Sequence, residues 1–124
     1  MRTAVAISAA TVLLTAVLAI PAPAGAAVCD TDTGVSVIVD YAGLGGGVVT
    51  GCAGDNPTSG FGALSAAGFQ VTQVANMPGF VCRIDGKPSA DAEPCVDTPP
   101  ATAFWTYWIA ERGGSWRVSA RGAG

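Results

Sequence analysis

The sequence predicts a small α+β domain, with one short helix packed on a mixed or antiparallel sheet and two disulfides as staples. Three observations predict it. Short runs rich in β-branched and aromatic residues recur between glycine and proline turns. One stretch alone, beginning at Ser59, carries helical spacing. Four cysteines, Cys29, Cys52, Cys82 and Cys95, lie in the last 96 residues, where a small exported domain would use them as disulfides.

The 124-residue chain is long enough for one domain. Met1-Arg2-Thr3 is a short basic start, and Ala4 to Ile20 is an apolar run broken mildly by Ser8, Thr11 and Thr15. Pro21 to Ala27 then supplies small residues and helix breakers. That order is the pattern of a secretory signal peptide over residues 1–27, with cleavage after Ala26 or Ala27 and the domain in residues 28–124. A transmembrane anchor is the competing reading, disfavoured by the Pro/Ala-rich exit. Val28 stands where a lipoprotein anchored at Cys29 would need a small residue. A domain of this size buries a modest fraction of its surface, so covalent staples matter. Four cysteines allow three pairings. Cys29 with Cys52 and Cys82 with Cys95 is favoured because each pair joins neighbours along the chain.

Charge and composition narrow the chemistry. Beyond the leader, nine acids face five bases, with no basic cluster of the kind nucleic acid requires. There is no histidine and no Cys-x-x-Cys, which removes Ser-His and Cys-His pairs and leaves a poor ligand inventory for zinc. No serine stands in a nucleophile motif, and spacing alone identifies no carboxylate pair. The expectation is a non-enzymatic protein without cofactor or metal. Asp30-Thr31-Asp32-Thr33-Gly34 has a passing likeness to a calcium loop, but Gly34 occupies the fifth position, where an acid is needed.

Along the chain, Val35 to Tyr41 is the clearest strand, with Val35, Val37, Val39 and Tyr41 on one apolar face. Ala42 to Gly47 (A-G-L-G-G-G) lacks both the G-x-G-x-x-G frame and a following Gly-Lys-Ser/Thr, so it reads as a turn. Val48-Val49-Thr50 returns as a strand towards Cys52. Ser59 caps a helix running to about Ala67, with Phe61 and Leu64 on one face and Gly68 as its stop. Phe69 to Val74 alternates as a strand, Pro78-Gly79 reads as a turn, and Phe80 to Ile84 is a further strand closed by Asp85-Gly86. Lys87 to Pro100, with four prolines, reads as an irregular loop pinned by Cys95 and a candidate binding rim.

Phe104 to Trp108 puts four of the nine aromatics in five positions, ahead of the Gly113-Gly114 turn and Trp116. A hairpin here sets Phe104, Thr106 and Trp108 on one side and Trp105, Tyr107 and Ile109 on the other. Both sides carry bulk. One enters the core, or both are buried, or one meets a ligand or partner.

Gly34–Tyr41, Leu44–Gly47, Gly60–Phe69, Gly79–Pro88, Pro94–Val96, and Phe104–Trp108 with Gly113–Trp116 resemble small exported proteins of high-GC Gram-positive bacteria. Those are similar in turn to a family of unknown function whose fold matches the C-terminal domain of transcobalamin and intrinsic factor. The resemblance implies a β-grasp-like domain and extracellular ligand capture, with cobalamin or another corrinoid as the first ligand to try. In transcobalamin a large helical domain completes the enclosure. This sequence carries no such domain, so it offers a face or a rim. The expected surface is Trp105, Tyr107 and Trp116, with the Lys87 to Pro100 loop beside it. The rival expectation is a structural or protein-interaction module of the bacterial cell envelope, with an envelope or transport protein as partner.

Overall fold

The computed structural model describes residues 28–124; the leader expected over residues 1–27 lies outside them. The elements are β1 (Val35–Asp40), β2 (Val48–Ala53), α1 (Gly60–Ala66), β3 (Val71–Val74), β4 (Met77–Ile84), β5 (Trp108–Ile109) and β6 (Arg117–Val118). The domain is α+β, and every described strand pairing is antiparallel.

β1 and β2 form a hairpin in regular register from Val35 opposite Ala53 to Asp40 opposite Val48. Alternation works as the sequence implies from Val37 onward, whereas Val35, expected on the same inward face, is exposed at the strand's open end. Val39 and Tyr41 are buried, Val37 is partly buried, and Ile38 on the other face is exposed. The connection makes a single 3-10 turn over Ala42–Leu44 and then takes Gly45, Gly46 and Gly47 through positive φ, a path open at low cost only to glycine. Tyr41 N–H donates to the Gly47 carbonyl at 2.9 Å, closing the loop. Its glycines therefore serve the turn. The Cys29–Cys52 disulfide, with Cα atoms 4.8 Å apart, fastens the start of the domain to β2.

Ser59 caps α1, its Oγ accepting the Gly62 N–H at 3.1 Å, and the chain leaves the helix through Gly68 at φ 94°. The helix is short because its work is local. Ala63 and Leu64 face the core, Ala67 and Phe69 follow, and Phe61 packs at its margin. Gly51 of β2 makes this approach possible, since a Cβ there would stand 2.7 Å from the Ala67 carbonyl oxygen.

β3 and β4 form a second hairpin, and here the structure corrects the sequence reading. The turn is at Ala75-Asn76, between paired Val74 and Met77, and not at Pro78-Gly79. Those two residues lie within β4, where the register jumps from Val74–Met77 to Gln73–Val81. The bulge absorbs a proline that cannot donate to a ladder, and Gly79 N–H instead reaches Gln73 Oε1 at 2.9 Å. The turn is held from outside, because Ala75 and Asn76 N–H groups donate to the carbonyls of Cys95 and Val96. The expected turn at Asp85-Gly86 is present. Both residues have positive φ, and Ile84 and Lys87 exchange backbone hydrogen bonds across it, as a tight hairpin turn requires.

The second disulfide, Cys82–Cys95, pins the 87–100 loop as expected, with Cα atoms 5.6 Å apart. It forms a small core with Val74 and Phe80. The larger core gathers Val39, Tyr41, Ala53, Leu64, Phe69 and Ile84 from both hairpins and the helix. The third ladder is brief, with Trp108 opposite Val118 and Ile109 opposite Arg117. Among the described residues the three hairpins share no ladder, so the β-grasp arrangement that the resemblance implies is not carried by the strand pairing. No helix of the described residues is long and apolar enough to cross a membrane, and the two disulfides suit an oxidising setting.

Gly51→Ala should cost about 1–3 kcal/mol through the clash with Ala67, while Gly54→Ala, with nothing within 4 Å of the new Cβ, should stay within about 0.5 kcal/mol. Urea midpoints at constant m-value check both. Replacing both Cys82 and Cys95 by serine should cost about 2–4 kcal/mol in the same assay.

Candidate functional site

From Phe104 to Ile109 exposure alternates residue by residue. Phe104, Thr106 and Trp108 are exposed, while Trp105, Tyr107 and Ile109 are partly buried. The period of two predicted from the sequence is therefore present, although only Trp108–Ile109 enters a ladder. The faces are the reverse of the expectation. Trp105 and Tyr107 pack against the main core, and of the three expected site residues only Trp116 stands in solvent, at 55% exposure. The outward aromatics are Phe104 and Trp108, each 49% exposed, together with Trp116. Val118 is the cross-strand partner of Trp108. Strand alternation puts Trp116, two residues before Val118, on that same side.

Two close contacts fix this choice of face. A Cβ on Gly60 would stand 2.9 Å from Tyr107 Cζ, so the absence of a side chain at the start of α1 leaves the berth that Tyr107 fills. Trp105 meets the Tyr41 ring edge-on, with centroids 5.7 Å apart and planes at 86°, a favourable aromatic geometry. The Trp105 indole N–H is buried with no acceptor among the described residues. Nothing local in the Phe104–Ile109 stretch distinguishes one face from the other. The signal that could have done so is the pairing of a small residue at the helix start with a bulky one on the inward face.

Tyr41 lies at the centre of the support behind the hairpin. Its hydroxyl donates to Asp85 Oδ2 at 2.7 Å, and Asp85 Oδ1 accepts the Gln70 N–H at 2.8 Å. Lys87 Nζ lies 5.8 Å from the Tyr41 ring centroid and donates to the Leu44 carbonyl at 3.3 Å. Burial, reinforced by the hydrogen bond to Asp85 and its negative charge, pushes the Tyr41 hydroxyl well above its ordinary value of 10.0. Lys87 thus joins the support, while the Cys95–Asp97 part of the expected rim runs along the β3–β4 turn, where Asn76 Nδ2 donates to Asp97 Oδ1 at 2.7 Å.

A shallow groove of about 320 Å³, open to solvent, lies between β4 and the C-terminal segment, lined by Met77 to Phe80, Gly122 and Gly124. Among the described residues no cluster of three or more acids, cysteines or histidines could hold a metal ion. No protein-family model matches the chain, and neither a curated protein nor a solved structure shows significant similarity to it.

The raised Tyr41 value sets a pH dependence. The unfolded phenol loses its proton near pH 10 while the folded one keeps it, so stability is full below pH 10 and falls as pH rises above it. Unfolding free energies between pH 8 and 11 should show that fall in the parent protein. Tyr41→Phe should lower stability at pH 8 and flatten the slope above pH 10.

Proposed function

We propose that this protein is a secreted, non-enzymatic binding domain whose contact surface is the outward face of the C-terminal hairpin. One observation carries the reading. Phe104, Trp108 and Trp116 stand about half exposed on a single hairpin, in a domain whose two cores are completed by other side chains. Exposed aromatics gathered in one place mark interaction surfaces. Secretion is supported by the leader pattern and by two disulfides that an oxidising exterior would preserve.

A corrinoid is the small-molecule occupant the resemblance suggests. A flat conjugated ring would stack on Trp108 and Trp116, with Trp105 and Tyr107 acting from behind as supports. A second reading, an interaction module of the cell envelope, is favoured by the open geometry. The aromatics project from a surface, and the groove beside β4 gives no enclosure.

Titrating the exported, oxidised protein with cobalamin separates the two, with tryptophan emission corrected for ligand absorbance. Corrinoid capture requires saturable quenching, weakened about tenfold in Trp108→Ala or Trp116→Ala with the fold intact. Absence of a saturable change would eliminate corrinoid capture and leave the envelope reading, for which crosslinks from the hairpin to a partner should then be found.

A further inference from the structure

Charge is divided unevenly between the hairpin and the rest of the domain. Residues 28–103 hold eight acids and two bases, whereas residues 104–124 hold one acid, Glu111, and three arginines. Arg112 lies in the hairpin turn, Arg117 on β6, and Arg121 just beyond it. All three are exposed, and their side chains have no partner among the described residues. The half-exposed aromatics thus share their segment with three exposed arginines, on the one cationic part of an otherwise acidic domain.

Resting on the reading of this hairpin as the contact surface, we propose that it docks on the surface of a bilayer containing anionic phospholipid. Tryptophan suits the membrane interface because its ring is apolar and its N–H polar. Arginine buries its stem and keeps its charge at headgroup level, pairing with phosphate. Arg117 faces away from Val118 along the strand, but its stem is long enough to reach the rim of the same patch.

The area argues for lipid over protein. Half of each aromatic and half of Val118 amount to roughly 400 Å² of protruding apolar surface, against about 800 Å² per partner in a stable protein–protein interface. A bilayer asks for no shape complementarity. Reversible adsorption needs only a few inserted side chains and several cations near the headgroups. The acidic remainder of the domain would be repelled by the same surface, so the approach is oriented with the hairpin foremost.

The test uses the exported, disulfide-intact protein, its N terminus first read by mass spectrometry so that a retained apolar leader is not mistaken for the hairpin. Vesicles of phosphatidylglycerol and phosphatidylcholine are compared with phosphatidylcholine alone. The expected result is co-sedimentation with the anionic vesicles, a blue shift of tryptophan emission, and loss of both in high salt. Arg112→Gln, Arg117→Gln and Arg121→Gln should each weaken partitioning roughly fivefold. The paired Trp108→Ala and Trp116→Ala substitutions should weaken it more, while Asp55→Asn, in the acidic part, should not weaken it. No binding to anionic vesicles, or equal binding to neutral ones, overturns the proposal. Binding to soluble polyglutamate as tight as to vesicles, without a blue shift, also overturns it and assigns the face to an acidic protein, leaving the contact-surface reading intact. Vesicle binding unchanged by both the tryptophan and the arginine substitutions also overturns the proposal, placing lipid contact elsewhere on the domain, while the contact-surface reading fails only if the hairpin gives neither ligand quenching nor partner crosslinks.

Discussion

The hydrogen bond from Tyr41 to Asp85 holds together what backbone pairing leaves apart. The three hairpins share no ladder among the described residues, so side chains must join them. Tyr41 closes β1, and Asp85 closes β4. The same carboxylate takes the Gln70 N–H ahead of β3, and the same ring receives Trp105 from the third hairpin. Asp85 can do this because it sits at positive φ in a tight turn beside Gly86, which aims its short side chain back at the sheet. The bond is costly to lose from the Tyr41 side, since that residue is buried and its hydroxyl would be left without an acceptor, whereas Asp85 is exposed.

Packing then follows from small residues placed where elements cross. Gly51 admits the end of α1, and Gly60 admits Tyr107. The Ala123 carbonyl accepts the Phe61 N–H at 2.9 Å, meeting one of the donors that a helix start leaves open. These contacts orient the final hairpin. With Trp105 and Tyr107 committed inward, Trp108 and Trp116 are left to solvent, and the character of the outer surface is settled by what the core has accepted.

Much of the fold was legible in the sequence because its signals are local. The alternation of Val35 to Tyr41, the Ser59 cap, the Gly68 stop and the Asp85-Gly86 turn each depend on a few adjacent residues. The favoured disulfide pairing likewise follows neighbours along the chain. Where tertiary contacts decide, sequence reading fell short. Pro78-Gly79 has turn chemistry, yet the turn moved to Ala75-Asn76 because distant carbonyls at Cys95 and Val96 hold it there. The aromatic alternation was readable, but its direction was not, because it rests on Gly60 and Tyr41, each more than 40 residues away. Of the candidate site, Trp116 was legible, and Phe104 and Trp108 emerged only with the direction of the face.

Both disulfides close upstream of residue 96. The chain is therefore divided into a covalently closed body and an open tail that carries the aromatic hairpin, joined through Asp97-Thr98-Pro99-Pro100. The tail is retained by its berth on Gly60, its ring contact with Tyr41 and its backbone bond to Phe61, and by no covalent link beyond the chain itself. Its release would need no thiol chemistry and would leave both disulfides closed, at the cost of withdrawing Trp105, Tyr107 and Ala123 from the main core. A tail released in one copy and seated on the body of another would restore the same contacts, so the architecture is compatible with exchange between molecules as well as reclosure within one, the short tether favouring reclosure.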